Sequence, residues 1–275
     1  MKDKAYPKKL KDIKMTMVTI GSASHPGKRK KENEDYHAYF PPEEGRINKK
    51  GILIALADGM GGRSGGAIAS KIAVEALMEE YYKDYFTSIP ESLEKAFLRA
   101  NEEVIVRGQK DINLEGMATT LTAVVLKNGK MFYAHVGDSR GYTIYGKNIT
   151  HFTEDHSYVA SLVKAGAITE EEALTHPQAN IITKAIGVHS DLTIDVSQRH
   201  QRLKKNQYIM LCCDGLYKEV PDEEILNTIC KYQEPDVACK KLVDKANQYG
   251  GSDNITVLVA KINRLNFISS ILSRF

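Results

Sequence analysis

Asn128-Gly129 stands between two apolar runs, Thr119–Lys127 and Lys130–Val136, and commits this part of the chain to an antiparallel hairpin. The tight turn needs positive φ at both central residues, and Asn followed by Gly tolerates it. More strand-like runs follow at short spacing. Arg140–Tyr145 and Asn148–Phe152 flank Gly146, and Leu192–Gln198, Gln207–Cys213 and Ile255–Ile262 come later. Upstream, residues 15–24, Tyr36–Phe40 and Gly51–Asp58 read as strands. The third of these has the length and near-continuous apolar character of a central strand. Strands joined by hairpins build antiparallel sheets.

Helices interrupt the strands in pairs. Residues 66–86 carry Ile68, Ile72, Leu77 and Tyr81 on one stripe, and 91–110 begin just after Pro90. A second pair spans about 221–232 and 235–248, broken by Gly250-Gly251. Residues 157–175 read as short and helical, ahead of a loop marked by Pro177 and Asn180. Paired helices between hairpin-linked strands cover sheet faces, so the class is α+β, a β-sandwich with outer helices. The 275 residues suffice for one large domain. The reading is a flexible basic leader over 1–14, a domain over 15–263 and an amphipathic tail over 264–275. In that tail Leu265, Ile268, Leu272 and Phe275 share a stripe.

Charge excludes some functions. Residues 1–31 hold ten Lys/Arg against two acids, while the whole chain is only +3, so the remainder is net acidic. No basic helix or basic-aromatic interleaving points to nucleic acid. No apolar run reaches the roughly 20 residues that span a bilayer. Cys212, Cys213, Cys230 and Cys239 lack metal-ligand spacing and read as reduced thiols of a cytoplasmic protein. No oligomerisation segment is visible, so a monomer is expected.

Four aspartates sit where apolar strands end or begin: Asp58, Asp138, Asp214 and Asp253. A carboxylate at the rim of a buried strand is costly unless something positive meets it. Four such rims suggest one acidic pocket, and a divalent cation with oxygen ligands is the economical way to hold it together. Glu34-Asp35 adds two acids just before Tyr36–Phe40. Gly59, Gly61, Gly62, Gly65 and Gly66 follow Asp58 and let backbone approach a ligand closely. A dinucleotide loop is the rival, but its third glycine falls at Ser64. Each Asp-Gly alone also reads as a turn, and Asp138-Ser139-Arg140 as a turn with an internal partner. Lys28-Arg29-Lys30-Lys31 precedes the acids, and a cation beside an acidic metal pocket suits phosphate-ester chemistry. His37 is a candidate proton carrier, and His156 reads as a satisfied structural residue. Cys213 beside Asp214 has no evident base and reads as packing.

The segments ENEDYHAYF, ALADGMGG, GMATTLTAVVL, AHVGDSRGYTIY, FTEDHSYVASLVKAGAITEEEA, HPQANIITKAIGV, YIMLCCDGLYKEV and GGSDNITVLVA run collinearly over about residues 15–262. They resemble the metal-dependent PPM-type (type 2C) protein serine/threonine phosphatases in their bacterial style. The resemblance implies a four-layer αββα fold: a central antiparallel sandwich flanked on both sides by helix pairs, with a small flap at about 156–186. It implies two Mg²⁺ or Mn²⁺ ions bridged by Asp58, with Asp214 and Asp253 on one ion and the Gly59 carbonyl on the other. Glu34 or Asp35 reaches the second ion directly or through water, and Asp138 belongs to a third, weaker metal site. A metal-bridging water attacks phosphorus without a phosphoenzyme. The substrates implied are phosphorylated proteins, opposing a Ser/Thr kinase.

Two positions depart from the family pattern. Lys30 stands where the family usually places a phosphate-binding arginine, with Arg29 one residue earlier; lysine offers a point charge without the bidentate fork. Met60 stands where eukaryotic relatives carry a histidine proposed as general acid, which leaves His37 as a candidate for that role. A weak or silent relative that binds phosphoproteins is the alternative, and a hydrolase of small phosphate esters is a third reading. Retention of Asp58, Asp214 and Asp253 favours an active enzyme.

Overall fold

The computed structural model describes residues 17–40, 50–61, 65–83 and 86–264. The basic leader and the amphipathic tail from residue 265 onward lie outside the described residues, as does Gly62.

Two antiparallel sheets form the centre. Strands β1 (Val18–His25), β2 (Tyr36–Phe40), β3 (Ile52–Ala57), β4 (Gly59–Met60), β5 (Ala118–Thr119), β6 (Leu121–Lys127) and β7 (Lys130–Val136) come first. Then follow β8 (Arg140–Tyr145), β9 (Asn148–His151), β10 (Asp195–Val196), β11 (Gln201–Arg202), β12 (Tyr208–Cys212) and β13 (Ile255–Ile262). One sheet runs β1-β13-β12-β8-β9, the other β10-β7-β6-β3-β2 with β11 also on β7, and β4 pairs with β5. The hairpin at Asn128-Gly129 has φ of 51° and 71°, the left-handed pair that its sequence demands.

Alternation along the strands builds three cores. On β3, Ile54 and Leu56 face the opposite sheet, where they meet Ile209, Leu211, Leu258 and Ala260. Leu53, Ala55 and Ala57 face the other way, onto helices α1 (Gly65–Tyr81) and α2 (Ile89–Gln109). On the far side, Met210, Cys212, Val257 and Val259 pack against α6 (Asp222–Lys231) and α7 (Pro235–Tyr249). Strands buried on both faces read as continuous apolar runs, which is why β3 and β13 lack polar alternation. The result is the expected four-layer αββα sandwich.

Local chemistry fixes the helix ends. Ser88 and Glu91 form a reciprocal capping box at the start of α2, with Pro90 in its first turn. At Gly21 on β1 an added Cβ would stand 2.2 Å from the backbone nitrogen of Asp236, so only glycine lets α7 dock this closely. The short helices α3 (Tyr158–Lys164) and α4 (Glu170–Thr175) lie within the segment expected as a flap, and α5 (Asp214–Tyr217) follows β12 directly.

Three expectations needed correction. The strand expected at Leu192–Gln198 contracts to β10, an edge segment paired only to β7. The helix expected to reach 86 ends at Tyr81. Asp214-Gly215, which reads as a turn, instead opens α5.

Candidate active site

Asp58 closes β3 at the edge of the sandwich. Its N–H donates to the Thr120 hydroxyl at 2.9 Å, and its carbonyl accepts from Thr120 N–H at 2.9 Å and the Thr119 hydroxyl at 2.8 Å. The Thr120 hydroxyl also meets Ser139 Oγ at 2.8 Å, which ties this strand end to the turn carrying Asp138. Gly59 lies where a side chain is impossible: an added Cβ would sit 2.2 Å from the Gly66 carbonyl oxygen and 2.5 Å from that of Glu34.

The turn before β2 is tied down equally well. Asn254 Oδ1 accepts the N–H of Glu34 at 2.8 Å, and its amide donates to the carbonyls of Pro26 and Glu32 at 3.0 and 2.9 Å. Ser70 of α1 donates to the Glu34 carbonyl at 2.6 Å. These bonds present Asp35 to the interior, where it is only 9% exposed.

The acids converge. Burial drives the Asp58 carboxyl well above its usual range, and the charges of Asp35, Asp214, Asp138 and Asp253 add to the shift. Asp35 is pushed up to about 7 by burial, with Thr256 and Cys213 drawing it back and Asp214 and Asp253 raising it further. Neither Asp35 oxygen has a partner within strict hydrogen-bond geometry. Asp138 is likewise raised to about 7, by burial and then by Asp214, against the pull of Lys218. Five carboxylates from five separate chain segments thus share one field.

Buried, unpartnered carboxylate oxygens call for a cation. Ligand atoms of Asp35, Asp58 and Cys213 lie within 4.8 Å of one another. The thiol does not serve that ion: burial raises the Cys213 pKa far above its usual value and keeps it protonated, and its Sγ donates to the Asn254 carbonyl at 3.2 Å. The donor set is therefore oxygen, which fits a hard divalent ion.

Two lysines border the cluster. Lys30 Nζ lies 2.8 Å from Asp253 Oδ1 and also senses Glu34 and Asp58. Arg29 is exposed and makes no ion pair among the described residues. Lys218 pairs with Asp214 at 2.7 Å. His37 stands apart: burial alone lowers its pKa, with no contribution from any carboxylate of the cluster. On β2 its neighbours Tyr36 and Ala38 pack toward the helices, which turns His37 to the inside of the sandwich. His156 is a satisfied structural residue, accepting from Gly137 N–H at 3.1 Å and meeting Asp195 at 3.2 Å.

A protein phosphatase 2C family profile matches residues 24–244. The chain belongs to the protein phosphatase 2C family. Relatives agree along nearly its whole length. The serine/threonine phosphatase stp of Listeria welshimeri is 32% identical over 241 residues, covering 86% of this chain and 93% of that protein. The crystal structure of the serine/threonine phosphatase Stp1 from Staphylococcus aureus has a TM-score of 0.82 at 30% identity, over 90% of this chain and 96% of that one. The catalytic domain of the serine/threonine phosphatase PstP, in complex with two manganese ions, has a TM-score of 0.76 at 30% identity, over 90% and 99% of the two chains.

Within this family member, two contributors escaped the sequence reading. Asn254, next to Asp253 at the start of β13, fastens the Glu34-Asp35 turn. Lys218 lies four residues after Asp214, a spacing that becomes a contact once the segment is helical. Recognising α5 as a helix would have revealed that pair.

Proposed function

We infer that this chain removes phosphate from phosphoserine and phosphothreonine in proteins, with two divalent cations held by Asp35, Asp58, Asp214, Asp253 and the Gly59 carbonyl, and with Asp138 beside them. The observation that carries this reading is the convergence of Asp35, Asp138, Asp214 and Asp253 on Asp58, with both Asp35 oxygens buried and without a hydrogen-bond partner. When bound, two Mg²⁺ or Mn²⁺ ions would supply Lewis acidity and water of lowered pKa. Both ions suit hard oxygen ligands.

The chain's own residues do the remaining work. Lys30 stands 43% exposed at the rim, where its ammonium can turn from Asp253 to the oxygens of an incoming phosphate. The Asp58 backbone N–H is bonded to the Thr120 hydroxyl, and the Asp253 carboxylate accepts the Asn254 N–H at 2.8 Å, so both acids keep their places when substrate arrives. The inward-facing His37 is poorly placed to protonate the leaving alkoxide. The flap over 156–186 carries Tyr158, Leu174 and Ile181 exposed, a surface suited to a protein substrate more than to a small ester.

A Ser/Thr kinase would supply the substrates. We place the chain in the cytoplasm as a monomer, on the strength of its four unpaired thiols and the lack of an oligomerisation segment in the sequence. No helix among the described residues is long and apolar enough to cross a membrane. The test is hydrolysis of a phosphothreonine peptide with Mn²⁺, read as released phosphate. Turnover that fails in Asp58→Asn supports the reading, and turnover unchanged in that variant overturns it.

A further inference from the structure

Lys218 has a position that the reaction above does not use. Its Nζ donates to Asp214 Oδ2 at 2.7 Å and to Asn180 Oδ1 at 2.8 Å. Asp214 belongs to the acidic cluster, whereas Asn180 belongs to the flap. The side chain is 24% exposed, and its charge acts on Asp138 and Asp58 as well as on Asp214. One ammonium therefore faces the Asp138–Asp214 side of the pocket while bonding a residue of the flap.

We propose that Lys218 is a tethered cation that takes the place of a third metal ion between Asp138 and Asp214 and latches the flap to the pocket through Asn180. This rests on the reading of the pocket as a divalent-metal site. A carboxylate has two oxygens, and Lys218 bonds only Oδ2 of Asp214, which leaves Oδ1 for an ion. Beside that ion, a fixed ammonium repels any further divalent cation, and like charges at such range in a partly buried site exclude one another strongly. Lysine suits this role, being a compact point charge on a flexible stem that can follow flap movement. The chain would then bind two divalent ions, and flap order would depend on a lysine instead of on metal concentration.

The experiment counts bound Mn²⁺ on the full chain by calorimetry and native mass spectrometry, and follows flap opening by hydrogen exchange over residues 176–184. Wild type should bind two ions. Lys218→Met, which keeps length and loses charge, should bind three and exchange several-fold faster in the flap. Lys218→Arg should return the count to two. Asn180→Ala changes only an exposed flap side chain, and should keep two ions while its flap exchange rises. A third ion on wild type, or two on a folded Lys218→Met, overturns the substitution for metal. Unchanged flap exchange in Asn180→Ala overturns the latch. A wild type that binds no Mn²⁺ at all defeats the metal-site reading itself, an outcome distinct from these.

Discussion

Asn254 holds Glu34 across 220 residues of sequence: its side-chain oxygen accepts the Glu34 N–H at 2.8 Å. That bond sets the mutual placement of Asp253, next to Asn254, and Asp35, next to Glu34. Two acids from opposite ends of the domain are thereby registered by one amide. Asn254 is 3% exposed, and its three bonds are to backbone groups.

Asn254→Ala should therefore damage both stability and activity. Leaving buried backbone groups unpaired costs about 1–3 kcal/mol each at most. Misplacing a site by about 1 Å can lower rate about 100-fold. Thermal melts and kcat/KM on a phosphothreonine peptide check this. A variant with wild-type kcat/KM would show that the turn holds itself.

Asp58→Asn should separate function from stability. Activity should fall at least about 100-fold, the scale set by loss of a major electrostatic contributor. The chelated protein should melt higher, because burying the Asp58 carboxyl beside four other acids is unfavourable and an amide there has no carboxyl to bury. Each kcal/mol gained raises Tm by about 2–4 °C for a domain of this size. A lower Tm in chelator would contradict the picture of a strained acid cluster.

Lys30→Ala should act on substrate and hardly on the fold. Its ion pair with Asp253 is 43% and 39% exposed, and such pairs contribute roughly 0–1 kcal/mol. KM for phosphopeptide should rise, and Lys30→Arg should restore it. An unchanged KM in Lys30→Ala would remove this lysine from phosphate binding.

His135 provides a pH test away from the acids. It is fully buried between the Thr122 hydroxyl at 2.8 Å and the Gly137 carbonyl at 3.0 Å, stacked on His156. Burial, helped by the charge of His156, lowers its pKa from 6.5 to about 3. Its folded form thus binds fewer protons than the unfolded chain between those values. Its contribution is present above about pH 6.5 and is lost as pH falls toward 3. On acidification from pH 6 to 5, wild type should lose about 1.2 kcal/mol more than His135→Gln. Urea melts at both values measure the difference, and parallel slopes would refute it.

Much of this was legible in the chain. Lys130–Val136, Arg140–Tyr145 and Ile255–Ile262 coincide with their strands, because paired turns and apolar runs left little choice of boundary. Leu192–Gln198 reads just as strand-like, but an edge position pairs only Asp195 and Val196 with β7. The aspartates at strand rims were legible because a charge beside an apolar run is conspicuous. Lys218 was not, since its role appears only when α5 turns Asp214 and the flap toward the same ammonium. His37 looked apt from residue type alone, whereas strand alternation sends it to the inside of the sandwich.

The most direct measurement is phosphate release from a phosphothreonine peptide in Mn²⁺, repeated after chelation and again after metal is restored. Release should vanish with chelator and return with manganese. Release that persists undiminished in chelator would contradict a mechanism built on five acids gathered to hold cations.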